Sequence, residues 1–120
     1  MTSVKSGTDL INDAKARIRE TSPRDALALH AGGGVTFLDV RDQQEVNLGR
    51  IPGALHISRG TMETKIEAAV PRDADVVIYC ASGNRSALAA DTLRQMGYQK
   101  VSSLAAGFRG WAEAGGDVDG

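Results

Sequence analysis

The run Val76–Tyr79 constrains the fold more than any other stretch of this 120-residue chain, because it is four apolar residues long and contains no polar one. A strand with one solvated face alternates apolar and polar residues, so an unbroken apolar run of this length indicates burial on both faces. Strands of that kind belong to the interior of parallel sheets, which helices cover on both sides. The run therefore predicts the centre of a parallel sheet, and the residue directly after it is Cys80.

Helix and strand patterns alternate along the rest of the chain. Ser22 and Pro23 predict a helix start, since serine is a favoured N-cap and proline fits the first helical position. The glycines at 32–34 predict its end. Further helices are predicted after a capping box at Asp42 and Glu45, around residues 62–70, over 86–96 and around 108–112, and further short strands over 35–40, 55–57 and 101–104. This alternation predicts an α/β layered fold.

Length predicts a single domain over residues 1–120, since domains most often run to about 100–150 residues. No internal repeat or low-complexity linker divides the chain. Leu10, Ala14 and Ile18 recur at every fourth position, so residues 1–21 are interpreted as an N-terminal helical extension. Residues 115–120 are rich in Gly and Asp and are interpreted as a loose C-terminal tail.

Charge and cysteine content exclude several classes of protein. Fourteen basic and fifteen acidic residues give a formal net charge of −1, which does not build the basic surface that nucleic acid or an anionic membrane requires. No apolar stretch approaches the roughly 20 residues that span a bilayer, and the N-terminus lacks the layout of a secretory signal. We expect a cytoplasmic protein without nucleic-acid or membrane partners. Its single cysteine excludes an internal disulfide and a cysteine-rich zinc site, and no metal is expected.

The residues that follow the apolar run have the composition of an anion-binding loop, Cys80-Ala81-Ser82-Gly83-Asn84-Arg85-Ser86. Small residues let successive backbone N–H groups point inward, and Gly83 is expected to adopt a conformation that other residues avoid. The following helix N-terminus also favours negative charge, so both features favour the reactive thiolate of Cys80. Arg85 is predicted either to fasten the loop or to face an anionic substrate. The alternative is that Cys80 is a small buried apolar residue at the end of a strand.

Three motifs, in this order and spacing, resemble the rhodanese family over about residues 22–111. They are Asp39-Val40-Arg41 with Glu45 and Gly49-Arg50-Ile51-Pro52-Gly53-Ala54; Cys80-x-x-Gly83-x-Arg85-Ser86 with Ala89 and Leu93; and Gly107 with Trp111. Three residues depart from the family pattern. Arg50 stands where His is usual, Val46 where an aromatic residue is common, and Ala106 where a second Gly is frequent.

The resemblance implies a three-layer α/β fold of about five mostly parallel strands, with helices on both faces. It implies a sulfurtransferase that moves a sulfane sulfur from a donor such as thiosulfate through a Cys80 persulfide. The acceptor would be a thiol, cyanide in assays, or a sulfur-accepting protein. No metal or organic cofactor is implied. Residues Ala81 to Ser86 would form the substrate-binding loop, and Asp39 and Arg41 would support it.

Two other functions remain open at this stage. Cysteine phosphatases and arsenate reductases share a Cys-loop-Arg arrangement, but they place five residues between Cys and Arg, whereas four stand here, Ala81 to Asn84. The other is a non-catalytic binding or regulatory module of the rhodanese type. Such modules typically lack the cysteine, which this chain retains within a complete loop.

Overall fold

The computed structural model describes residues 4–120, which fold around a five-stranded parallel sheet of order β1-β5-β4-β2-β3. The strands are β1 Arg19–Thr21, β2 Thr36–Asp39, β3 Leu55–His56, β4 Val76–Tyr79 and β5 Val101–Leu104. The helices are α1 Gly7–Arg17, α2 Pro23–Gly32, α3 Gln43–Asn47, α4 Met62–Ala69, α5 Asn84–Gln95 and α6 Gly107–Glu113, with a 3-10 turn at Arg59–Thr61. Within the described residues, no helix is long and apolar enough to cross a membrane.

Strand β4 lies at the centre of the sheet, between β5 and β2, and all four of its residues are buried. Its side chains alternate between two apolar clusters. Ile78 packs in the cluster that α4 and α5 complete, whereas Val77 packs in the cluster that α2 and α6 complete. The predicted three-layer α/β architecture, with helices on both faces of a parallel sheet, is confirmed.

The N-terminal segment differs from the helical extension predicted for residues 1–21. Residues 1–3 lie outside the described residues, α1 ends at Arg17, and Arg19–Thr21 form β1, which pairs in parallel with β5. The sequence Arg-Glu-Thr carries no apolar strand pattern. Its strand conformation therefore comes from backbone pairing with β5 and not from local preference.

The C-terminal residues are not the loose tail that the sequence suggested. The Trp111 indole Nε1 donates a hydrogen bond to the Asp117 carbonyl oxygen at 2.8 Å. Arg50 and Asp119 exchange two backbone hydrogen bonds as an isolated antiparallel bridge. The tail therefore packs against α6 and Arg50. The backbone groups that hold it cannot be recognised from the amino-acid composition.

Candidate active site

The loop from Cys80 to Ser86 leaves the carboxyl end of β4 and enters α5 at Asn84. Gly83 supports this turn in the left-handed region, with φ of 105°. A Cβ atom at position 83 would lie 3.4 Å from the Ala106 backbone nitrogen. Both the conformation and this neighbour favour glycine, as expected from the sequence.

The first turn of helix α6 donates hydrogen bonds to the backbone of the loop. The Phe108 N–H donates to the Cys80 carbonyl oxygen at 2.8 Å, and the Arg109 N–H donates to the Ala81 carbonyl oxygen at 3.2 Å. A Cβ atom at Gly107 would lie 2.6 Å from the Cys80 carbonyl oxygen, so only glycine lets α6 approach this closely. The N-terminus of α6 thus fixes the backbone on which the cysteine stands.

The Cys80 sulfur lies inside a ring of hydrogen-bond donors. The Gly83 and Ser86 backbone N–H groups donate to Sγ at 3.1 and 3.3 Å. The Ser86 hydroxyl oxygen lies 3.4 Å from the same sulfur and 2.8 Å from the hydroxyl oxygen of Ser103 on β5. The loop backbone and the Ser86 hydroxyl thus surround the sulfur, and the Ser103 hydroxyl on β5 contacts Ser86 and not the sulfur.

Burial and these donors act in opposite directions on the pKa of Cys80. Burial is the largest single influence and raises the pKa of the thiol, since Cys80 is only 1% exposed. Hydrogen bonds from the Ser86 hydroxyl and from the backbone N–H groups of Ser86, Gly83 and Ser82 act in the opposite direction. Together they outweigh burial and hold the pKa of Cys80 below its ordinary value. A small apolar residue that merely ends a strand would show the opposite shift.

Arg85 is paired with a carboxylate instead of being free to face an anion. Its Nη1 and Nη2 atoms donate to the two carboxylate oxygens of Glu45 on α3, both at 2.8 Å. The hydrogen bonds from Arg85 lower the pKa of Glu45 to about 2. Of the two predicted roles, this geometry matches the fastening of the loop. Glu45 was noted in the sequence as a capping residue, and its Oε2 does accept the Asp42 N–H at 3.0 Å.

Asp39 and Arg41 do not reach the cysteine. Both are buried, and the Asp39 carboxylate accepts hydrogen bonds from the Arg41 backbone N–H, Nε and Nη2 atoms. The Arg41 guanidinium carbon lies 4.5 Å from the Phe108 ring centre and 5.4 Å from that of Tyr79. Because Phe108 bonds the Cys80 carbonyl and Tyr79 precedes Cys80 in the chain, this ion pair packs against the supports of the loop.

The remaining loop residues occupy its outer side. Ser82 and Asn84 are exposed, and the Asn84 Oδ1 atom accepts a hydrogen bond from the Lys15 ammonium of α1 at 3.1 Å. Sequence reasoning missed Lys15, Ser103 and the pairing partner Glu45, because each contacts the loop from a distant segment. Among residues 4–120, no three His, Cys, Asp or Glu side chains are grouped as metal ligands would be.

Comparison with known proteins identifies the family of this chain. The model of the rhodanese-like domain matches residues 22–114, and the chain therefore belongs to the rhodanese family. A sulfurtransferase of Allochromatium vinosum is 40% identical over 81 residues, which cover 68% of this chain and 75% of that protein. The thiosulfate sulfurtransferase GlpE of Tolumonas auensis is 32% identical over 90 residues, 75% of this chain and 84% of that one.

A solved structure resembles nearly the whole chain. It is a protein of unknown function from Rhodopseudomonas palustris, described as a possible tyrosine phosphatase. It is 34% identical, with a TM-score of 0.88, and the match covers 99% of this chain and 98% of that one.

Proposed function

We propose that this protein is a sulfurtransferase that carries a sulfane sulfur as a persulfide on Cys80, with thiosulfate as a donor. The observation that carries the proposal is the ring of donors at the Cys80 sulfur, which lowers the pKa of a buried thiol. A thiolate is the nucleophile in exchange between sulfur atoms, so a lowered pKa increases the reactive fraction at neutral pH.

The proposed reaction has two steps. The Cys80 thiolate attacks the outer sulfur of thiosulfate, a new sulfur–sulfur bond forms, and the old one breaks with its electron pair leaving on sulfite. The Cys80 persulfide remains. A thiol or cyanide then attacks the outer sulfur and takes it, and the electron pair of the broken bond returns to Cys80 as thiolate. A sulfur-accepting protein could present such a thiol.

The first turn of α5 is suited to hold the outer sulfur. The first N–H groups of a helix have no acceptor four residues earlier, and the Ser86 N–H already donates to the Cys80 sulfur. The backbone N–H groups of Asn84 and Arg85 come between those of Gly83 and Ser86 in the chain. We assign them to the anionic persulfide, whose charge the α5 N-terminus also favours. A reactive free thiol fits a reducing compartment such as the cytoplasm.

Two features weigh against phosphate chemistry. Four residues separate Cys80 from Arg85, and each Cα step is about 3.8 Å, so the ring is smaller than one with five. The Arg85 guanidinium is also held by Glu45, with both carboxylate oxygens bonded.

A regulatory module without catalysis is disfavoured because Cys80 is retained with the donors that activate it.

Intact-mass measurement after incubation with thiosulfate tests the proposal. The protein is expected to gain the mass of one sulfur atom, and cyanide is expected to remove it as thiocyanate. Cys80→Ser is expected to gain nothing. Sulfur uptake by Cys80→Ser at the wild-type level would assign the transfer to another group, and no uptake by a folded wild-type protein would refute the proposal.

A further inference from the structure

Ser103 is a fully buried polar residue on β5 whose hydroxyl oxygen lies 2.8 Å from that of Ser86. A buried hydroxyl without a hydrogen-bond partner destabilises the fold, so each such group in a core needs an acceptor for its proton. Among the described residues, the Ser86 hydroxyl is the side-chain partner that the structure gives to Ser103. The two serines therefore form a buried pair beneath the Cys80 sulfur.

The direction of these hydrogen bonds follows from the proton count. If Ser86 donated to Ser103, the proton of Ser103 would be left in the core without an acceptor among the described side chains. The Ser86 oxygen lies 3.4 Å from the Cys80 sulfur and accepts a hydrogen bond from the thiol when Cys80 is protonated. If Ser103 donates to Ser86, the proton of Ser103 is used, and the Ser86 proton is free to turn to the sulfur once Cys80 is a thiolate. The second arrangement satisfies every hydroxyl when Cys80 is a thiolate. Hydrogen bonds that are linked in series and point the same way also polarise one another, which strengthens the last donor in the series.

We propose that Ser103 is a positioning residue that turns the Ser86 hydroxyl toward the Cys80 sulfur and so favours the thiolate. Ser103 itself does not touch the sulfur. The contact between Ser103 and Ser86 exists in the resting protein, whatever reaction Cys80 performs. The inference rests on the proposed function only because sulfur transfer is the reaction that would use the thiolate. A purely structural Ser103 would affect unfolding and leave the Cys80 pKa unchanged.

The test measures the rate of iodoacetamide alkylation of Cys80 against pH for four proteins: wild type, Ser103→Ala, Ser86→Ala and the double variant. Wild type is expected to show a midpoint below the ~8.5 of a free cysteine. Ser103→Ala is expected to raise the midpoint and to slow alkylation below it by about three- to tenfold, as expected from losing part of one hydrogen bond to an anion. Ser86→Ala is expected to raise the midpoint further.

The double variant distinguishes positioning from an independent effect. If Ser103 acts through Ser86, Ser103→Ala is expected to produce no additional shift once Ser86 is alanine. Ser102→Ala is the matched control, since Ser102 neighbours Ser103 on β5 but its hydroxyl lies 2.6 Å from that of Thr21. This control is expected to keep the wild-type midpoint.

Two results would overturn the inference: an unchanged midpoint in Ser103→Ala, or an equal shift from Ser103→Ala in both backgrounds. Sulfur uptake from thiosulfate, measured by mass on the same proteins, separates this inference from the proposed function. If the midpoints follow the expected pattern but wild type takes up no sulfur, the proposed function fails while the role of Ser103 stands.

Discussion

Ala106 is the residue other than glycine, among those described, whose backbone occupies the left-handed region, with φ of 62°. It is exposed, and it stands where the rhodanese pattern frequently has glycine. The next residue, Gly107, packs against the Cys80 carbonyl oxygen, and this close contact imposes the left-handed conformation on Ala106. An L-residue in this region costs roughly 1–2 kcal/mol. The support of the loop therefore contains a strained residue.

Ala106→Gly is expected to stabilise the protein by about 0.5–1 kcal/mol, because relief of this strain exceeds the added entropy of the unfolded chain. Urea denaturation measures the change. Ala105→Gly is the matched control, since Ala105 has no positive φ, and it is expected to destabilise by about 0.5–1 kcal/mol. Destabilisation by both substitutions would show that the Ala106 backbone is not strained.

At the scale of elements, α1 is fastened to α5 by one carboxylate. The Arg17 Nε and Nη2 atoms donate to Asp91 at 3.1 and 2.8 Å, and Arg94 donates to the same carboxylate. The hydrogen bond from Arg17, with that from Arg94, lowers the pKa of Asp91 to about 2. A carboxyl whose pKa is lower in the folded state contributes stability above its unfolded pKa of about 3.9. That contribution is lost as pH falls toward 2.

Asp91→Asn is expected to lower the free energy of unfolding at pH 7 by about 1–2 kcal/mol, a range that allows for solvent screening of the half-exposed arginines. Between pH 4 and 2 the variant is expected to lose less stability than wild type, because it lacks the group that titrates. Thermal unfolding at a series of pH values measures both effects. The exposed Asp73→Asn serves as control, and equal acid sensitivity of wild type and Asp91→Asn would contradict the expectation.

Elements with strong local signals were predictable from the sequence. The apolar run of β4, the Ser22-Pro23 start of α2 and the four residues of β5 all appear where their patterns placed them. Strand β1 was missed because its three polar residues become a strand only when β5 offers a partner. The C-terminal tail was missed because backbone groups hold it.

The site was predictable to the same extent and for the same reason. The loop residues follow one another in sequence, so their arrangement around Cys80 could be inferred from local turn and helix-start signals. Glu45 and Ser103 stand far from that loop in the chain, and only the packed α3 and β5 bring them to Arg85 and Ser86. No local pattern reports a contact of that kind.

For the whole molecule, we expect the size of the loop to select sulfur chemistry over phosphate chemistry. Wild type is expected to transfer sulfur and to show no meaningful hydrolysis of an aryl phosphate, measured by release of the phenol. Inserting one glycine between Gly83 and Asn84 displaces the donors from the Cys80 sulfur, and it is expected to reduce sulfur transfer by about 10²–10³-fold, as loss of an anion-stabilising donor does. The same insertion between Gly33 and Gly34 is the control, since open space surrounds both glycines.

Phosphatase turnover by the unmodified protein, abolished by Cys80→Ser, would reject the proposed function in favour of the activity suggested for the Rhodopseudomonas palustris protein. Full sulfur transfer by the variant with the inserted glycine would show that ring size does not select the substrate.

The pairing of β1 with β5 has a consequence for how the chain is made. Helix α1 rests on α5 and β1 bonds to β5, so segments that leave the ribosome early contact segments that are synthesised much later. Residues 7–21 reach their final neighbours only after residues 84–104 have emerged. Parallel pairing between such distant segments is also slow to form, because the entropy of closing a long loop is lost before any stabilising contact is made. The sheet is therefore completed only after β5 has been synthesised, and a nascent chain stalled before β5 would present β4 with one edge open.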